Sequence, residues 1–268
     1  MEWFEAIILG LVQGLTEFLP VSSSGHLEIS KVLLGVEATD DLMFTTMVHA
    51  ATVLSTIVVF RKQILDLFKG LFKFKYNDQT DYVFKIALSC VPIMIVGLFF
   101  KEQVEALFDS IQLVGIALIF TSFLLFFSDM ASARSRRKIV VNESRNGISY
   151  FQAFIVGLSQ ALAVIPGLSR SGTTISTGLI CGVRRDVMAQ FSFLMVLIPI
   201  LGESFLELVG GEFASSSVAA LPLAIGFVSA FVSGLFACKV MIALVKKARL
   251  SWFAVYCLIA AAAIFIFA

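Results

Sequence analysis

Two short runs hold nearly all the chemistry-bearing residues that lie inside apolar sequence. The first is Gln13-Gly-Leu-Thr-Glu17-Phe-Leu-Pro-Val-Ser22-Ser23-Ser24-Gly25-His26, and the second is Pro166-Gly-Leu-Ser169-Arg170-Ser171-Gly172-Thr173-Thr174. Gln13 and Glu17 are four residues apart and so share one helix face. A carboxylate within a membrane costs roughly 3 kcal/mol on insertion scales, so something must compensate it. A catalytic or metal-binding role would do so, and so would a structural bond across helices. Ser22, Ser23, Ser24 and Gly25 follow the break at Pro20 and open a helical run. Hydroxyls and free N–H groups at a helix start form an anion site, although one serine is needed simply as a cap. His26 is the group there able to move a proton near neutral pH.

The second run repeats the design and adds a cation. Ser169, Ser171, Gly172, Thr173 and Thr174 surround Arg170, whose guanidinium fork matches phosphate oxygens. Arg170 could instead pair with Glu17, or do both if that pair opens when a ligand enters. Two helix starts, an arginine, hydroxyls, a carboxylate and a histidine at one locus describe a phosphate site.

Each run must be positioned by a helix that stops partway through a membrane and turns back. Residues 3–35 and 150–183 both read as half a span, a polar break and half a span in return, which predicts two re-entrant helix–turn–helix pairs. Six other stretches are long enough to cross a core of ~30 Å: 42–60, 82–100, 111–128, 188–209, 218–243 and 251–268. The expected fold is an all-α integral membrane protein with six transmembrane helices plus the two re-entrant pairs. A shift of 147 positions aligns Gly10, Gln13, Ser22, Ser24, Gly25 and Phe44 with Gly157, Gln160, Ser169, Ser171, Gly172 and Phe191. It also sets His26 against Thr173, with Pro20 and Pro166 one residue out of register. Repeat one therefore covers 1–128 and repeat two 150–268, joined by a cytoplasmic loop at 129–149. Three spans per repeat is odd, so the two copies have inverted topology. Gly10 and Gly14 lie on the side of Gln13 and allow another helix close approach.

Composition agrees. The 268 residues are 59% hydrophobic and only 15% charged, against about 25% charged for soluble domains. That excludes collagen, disordered chain and disulfide-rich secreted scaffolds. A net charge of +1 leaves no field to hold a nucleic acid. Cys90, Cys181, Cys238 and Cys257 are scattered and read as buried apolar residues. The acidic start Met1-Glu2-Trp3-Phe4-Glu5 predicts that the first segment is retained and not cleaved as a signal peptide. Most of the 20 basic residues fall at 61–85, 134–145, 184–185 and 239–249, whereas Glu37, Asp40, Asp41, Glu102, Glu105, Asp109 and Glu212 mark the other side. By the positive-inside rule both termini lie outside. The first pair enters from outside and the second from the cytoplasm, and their tips meet near the midplane, as in many transporters. His49, inside the first span, reads equally as structural or functional. Glu203 and Glu207 read as snorkelling acids, and Arg134–Lys138 as a topology determinant against anionic lipid.

The two runs strongly resemble the signature segments of the bacterial undecaprenyl-diphosphate phosphatase family, also called the bacitracin-resistance protein family. The resemblance extends over essentially the whole chain in length, span count and motif order. In that family the first motif begins with Glu or Gln and has Glu four residues on, here Gln13 and Glu17. The third serine position, often Thr in relatives, is Ser24. Gln13 in place of Glu removes a carboxylate, which weakens any two-carboxylate metal scheme. The resemblance implies hydrolysis of undecaprenyl diphosphate to the monophosphate in the bacterial cell (inner) membrane, recycling the carrier for wall polymers, with the site facing the periplasm or outside. It also implies a divalent cation, Mg2+ or Ca2+, which Glu17 would hold. Glu17, Ser23, His26 and Arg170 are the expected catalytic residues. Gln13, Ser22, Ser24, Gly25, Ser169, Ser171, Gly172, Thr173 and Thr174 are the expected binding residues. The nucleophile stays open between Ser23, His26 and water. The expected partners are the lipid substrate and membrane lipid, with a homodimer left open. The competing class is a polyprenyl-phosphate flippase using the same anion site.

Overall fold

The computed structural model describes residues 1–36, 41–107, 110–135, 144–202, 218–247 and 249–267. Glu37, Asp40, Asp109, Glu203, Glu207 and Glu212 lie outside them. The described residues form helices and connections, with no strand among them. α1 (Trp3–Thr16) and α2 (Ser23–Leu34) make up the first predicted pair. α3 (Asp41–Val59) bends by 75° into α4 (Arg61–Leu71). α5 (Asp78–Phe99), the short α6 (Lys101–Glu105) and α7 (Ile111–Ser135) follow. A 3-10 turn at Arg145–Gly147 then leads into α8 (Tyr150–Leu162) and α9 (Arg170–Ile180), the second predicted pair. α10 (Arg185–Met195) continues past a break at Val196, so that the span runs Arg185–Gly202. α11 (Ala220–Lys247) and α12 (Ser251–Phe267) close the chain.

Four of these helices, α5, α7, α10 and α11, are long and apolar enough to cross a membrane, or five if the bent α3–α4 pair is one span. The expectation of six is not reached by length, because the stretch read as 251–268 is a helix of 17 residues. At 1.5 Å per residue it covers only about 25 Å. Two further expectations are corrected. α7 runs to Ser135 and so takes in the first part of the loop placed at 129–149. Lys85, grouped above with loop cations, is 2% exposed and bonds Asp81 at 2.5 Å and the Arg145 carbonyl at 2.7 Å. Asp81 also accepts from Tyr76 and Asn146. A buried charge pair held by this many hydrogen bonds is a structural network, not a topology signal.

Small residues set the closest helix contact. α1 packs on α11, where a Cβ on Gly10 would strike the Gly226 carbonyl and one on Gly14 would strike the Ser233 side chain and the Ala230 carbonyl. The Ser229 hydroxyl donates across this seam to the Ile7 carbonyl at 2.9 Å. Gly157 plays the corresponding part where α8 meets the backbone of Ser89 on α5. Substituting Gly14→Ala is therefore expected to destabilise the fold by about 1–3 kcal/mol, the usual cost of overpacking. A lowered thermal midpoint in detergent is the expected reading, and an unchanged midpoint would show that the seam is loose.

Candidate active site

The two polar runs meet. Each break ends in a serine N-cap made the same way. Ser22 Oγ accepts from the Gly25 amide at 3.2 Å and lies 3.3 Å from Ser24 Oγ. Ser169 Oγ accepts from the Gly172 amide at 3.1 Å and lies 3.4 Å from Ser171 Oγ. The next hydroxyl of each tip reaches the other tip. Ser24 Oγ accepts from the Gly167 amide at 3.3 Å, and Ser171 Oγ donates to the Leu19 carbonyl at 3.1 Å. The approach is tight, since a Cβ on Gly172 would sit 3.2 Å from Pro20 Cβ. Gly167 itself has φ +84, a left-handed conformation natural to glycine. Ser22 and Ser169 thus serve as caps, and Ser24 and Ser171 hold the tips together.

Glu17 sits at the end of α1 beside this junction, its side chain 10% exposed. Its Oε2 accepts from Gln13 Nε2 at 2.9 Å and from the Ser23 hydroxyl at 2.7 Å. His49 Nε2 stands 3.8 Å from the same oxygen, with His49 Nδ1 anchored on the Thr45 carbonyl at 2.9 Å. Sequence reasoning left His49 undecided, and α3 places it against the carboxylate. Glu17 also lines a narrow cavity with Thr52, Thr56, Arg170, Ser171 and Ser192. At about 20 Å³ it has room for roughly one water, so a diphosphate enters only as its walls move apart. Arg170 forms no ion pair with Glu17 within 4.0 Å, and its Nε and Nη1 are buried without a hydrogen-bond partner. Two buried N–H donors left this way are costly, and a phosphate would satisfy them. Thr174 is spent elsewhere, bonding the Arg170 carbonyl at 2.8 Å and Ser192 at 2.6 Å. The Thr173 hydroxyl is buried and unpartnered.

His26 faces another way. Its Nδ1 lies 2.7 Å from the Ser22 carbonyl and its Nε2 2.7 Å from the Tyr256 hydroxyl. Ser22 has φ 72, uncommon for a residue with a side chain, and its carbonyl takes both the ring Nδ1 and the backbone amide of His26. His26 makes no bond to Ser23, Glu17 or Arg170. The hydroxyl of Ser23 therefore has a carboxylate, not the imidazole, as its proton acceptor. Tyr256 belongs to neither motif, and no local spacing marks it.

A buried carboxylate holding a serine hydroxyl, with a guanidinium lining the same small cavity, brings together groups of the kind that phosphoryl transfer uses. The sequence pattern of the bacitracin resistance protein BacA matches residues 6–263. The chain belongs to this family. Among its relatives, an undecaprenyl-diphosphatase of Bacteroides fragilis is 52% identical over 263 residues, covering 97% of this chain and 96% of the relative. One from Christiangramia forsetii is 49% identical over 271 residues, covering 100% and 99%. One from Methanococcus maripaludis is 36% identical over 256 residues, covering 96% of each. Membership in the BacA family and the apolar helices together make this a multi-pass membrane protein.

Proposed function

We propose that this chain hydrolyses undecaprenyl diphosphate to undecaprenyl phosphate and inorganic phosphate, recycling the lipid carrier of cell-wall synthesis and so supporting bacitracin resistance. The observation that carries the reading is Ser23 donating to the buried Glu17 beside the unpartnered Arg170. Relatives at about half identity bear the name of this activity. In the step favoured by that bond, Ser23 Oγ attacks the terminal phosphorus and Glu17 takes the hydroxyl proton. The Oγ–P bond forms as the bridging P–O bond breaks, and undecaprenyl phosphate leaves with the electron pair. Water then attacks the phosphoserine with His26 as its proton acceptor: the new O–P bond forms as the Oγ–P bond breaks, inorganic phosphate leaves, and Ser23 Oγ takes its proton back from Glu17. Direct attack by water or by His26 remains the alternative, and single-turnover trapping of a phosphorylated Ser23 peptide distinguishes them. Arg170 neutralises phosphate charge. The flippase reading finds no support, since carrying a lipid needs no hydroxyl poised on a carboxylate.

The donor set suits a hard cation in part. Among the described residues no three His, Cys, Asp or Glu cluster to hold one. Glu17 Oε1 and the buried, unpartnered Gln13 Oε1 are oxygen donors of the kind that Mg2+ or Ca2+ takes together with substrate phosphates. When bound, such a cation would offset charge on the phosphoryl oxygens. Phosphate release from undecaprenyl diphosphate by purified protein tests the function. EDTA is expected to abolish it and Mg2+ or Ca2+ to restore it, whereas full activity in EDTA would remove the cation from this account.

The reading extends to the membrane frame: six spans, two re-entrant pairs, inverted repeats, both termini outside and a site opening to the outer face of the inner membrane. Packing supports the repeats. Exchanging the two repeats maps the α1–α11 contact onto α8–α5 and the α3–α11 contact onto α10–α5, and leaves α7 against α12.

A further inference from the structure

The motif histidine and a tyrosine from the last helix, 230 residues apart in sequence, are held together in a way the two motifs do not foretell. A carbonyl oxygen can only accept, so the 2.7 Å contact between His26 Nδ1 and the Ser22 carbonyl puts the ring proton on Nδ1. In the neutral imidazole Nε2 is then a lone pair, and the Tyr256 hydroxyl at 2.7 Å must donate to it. The two rings are nearly parallel, 11° apart with centroids separated by 5.6 Å. Tyr256 is itself held in place. The neighbouring Cys257 Sγ donates to the Pro20 carbonyl at 3.6 Å, and Ser122 on α7 donates to the Ala254 carbonyl at 2.8 Å, so α12 is tied to both the first tip and α7. His26 has no other side-chain partner at the site.

We propose that Tyr256 is a positioning residue for hydrolysis: with the Ser22 carbonyl setting the tautomer, its hydroxyl holds the orientation of His26 and keeps the Nε2 lone pair ready until substrate or water takes the place of the phenol. The inference rests on the hydrolytic reading above. The Ser22 carbonyl holds Nδ1 and the phenol holds Nε2, so rotation about the Cβ–Cγ bond would break both contacts. The role belongs to the hydroxyl and not to the aromatic ring, which fixes the variant that tests it. Tyr256→Phe keeps ring and packing and removes one oxygen.

Steady-state hydrolysis of undecaprenyl diphosphate and ¹⁵N NMR of histidine-labelled protein are read together on the wild type and Tyr256→Phe. The chain has only two histidines, so a His49→Gln sample assigns the spectrum. The expected result is an unchanged thermal midpoint and a shifted His26 Nε2 resonance. With it, kcat should fall about tenfold at near-constant KM, less than the 10²–10⁴ lost with an acid–base group itself. An Nε2 resonance that does not move, or a loss confined to KM, would overturn the assignment. If the wild type releases no phosphate, the hydrolytic reading fails on its own. The NMR comparison would still report whether the Tyr256–His26 bond exists.

Discussion

Arg170→Met is expected to cut phosphate release by at least about 10³-fold while leaving the thermal midpoint unchanged or higher. The two halves of this result have one cause. Arg170 carries buried Nε and Nη1 groups with no partner and makes no ion pair with Glu17 within 4.0 Å. Those two donors reach no acceptor, so replacing the half-buried guanidinium with an apolar side chain of similar length breaks no hydrogen bond of the fold. The two donors find an acceptor when a phosphate arrives, and an arginine set against a transferring phosphoryl group is worth about 10³–10⁵ in rate. Lysine is a poor substitute, since its ammonium is a point charge that cannot present the guanidinium's fork of N–H donors to phosphate oxygens. Activity and midpoint are measured on the same detergent preparation. A variant that unfolds at lower temperature would assign Arg170 to structure instead.

Glu17→Gln should lower kcat by about 10²–10⁴ with little change in folding. The amide oxygen of glutamine can still accept from Gln13 and Ser23, the two donors now on Oε2 at 2.9 and 2.7 Å, so the local bonding survives. What is lost is the base that takes the serine proton and the charge that would share a cation, and general-base catalysis accounts for that range. Because Glu17 acts on the reacting hydroxyl, the loss should fall on kcat. A variant with wild-type kcat would remove Glu17 from the chemistry and leave the Ser23 bond as a structural contact.

Much of this site could be read from sequence because its informative residues are local. A proline break, a serine cap and a hydroxyl two residues on are set by short-range geometry, and the 147-residue repeat announced that both tips are built alike. Gly10 and Gly14 foretold a close helix contact, though not that α11 supplies it. Other features depend on the tertiary arrangement. His49 reaches Glu17 only because α3 lies alongside α1, and Tyr256 reaches His26 only because α12 folds back on the first tip. Lys85 looked like a loop cation because the sequence does not show that Asp81, Asn146 and the Arg145 carbonyl enclose it. That Ser23 and His26 do not bond each other was hidden for a related reason. Neighbours in sequence on α2 point different ways, one to α1 and the other to α12.

The central claim is that the meeting of the two tips is a diphosphatase site. The most direct measurement is inorganic phosphate released from undecaprenyl diphosphate by purified wild type and Arg170→Met, each first shown to be folded. The expected result is one phosphate per lipid consumed by the wild type and none above background from the variant. A folded wild type that binds the lipid and releases no phosphate would contradict it, as would an Arg170→Met protein that turns over at the wild-type rate.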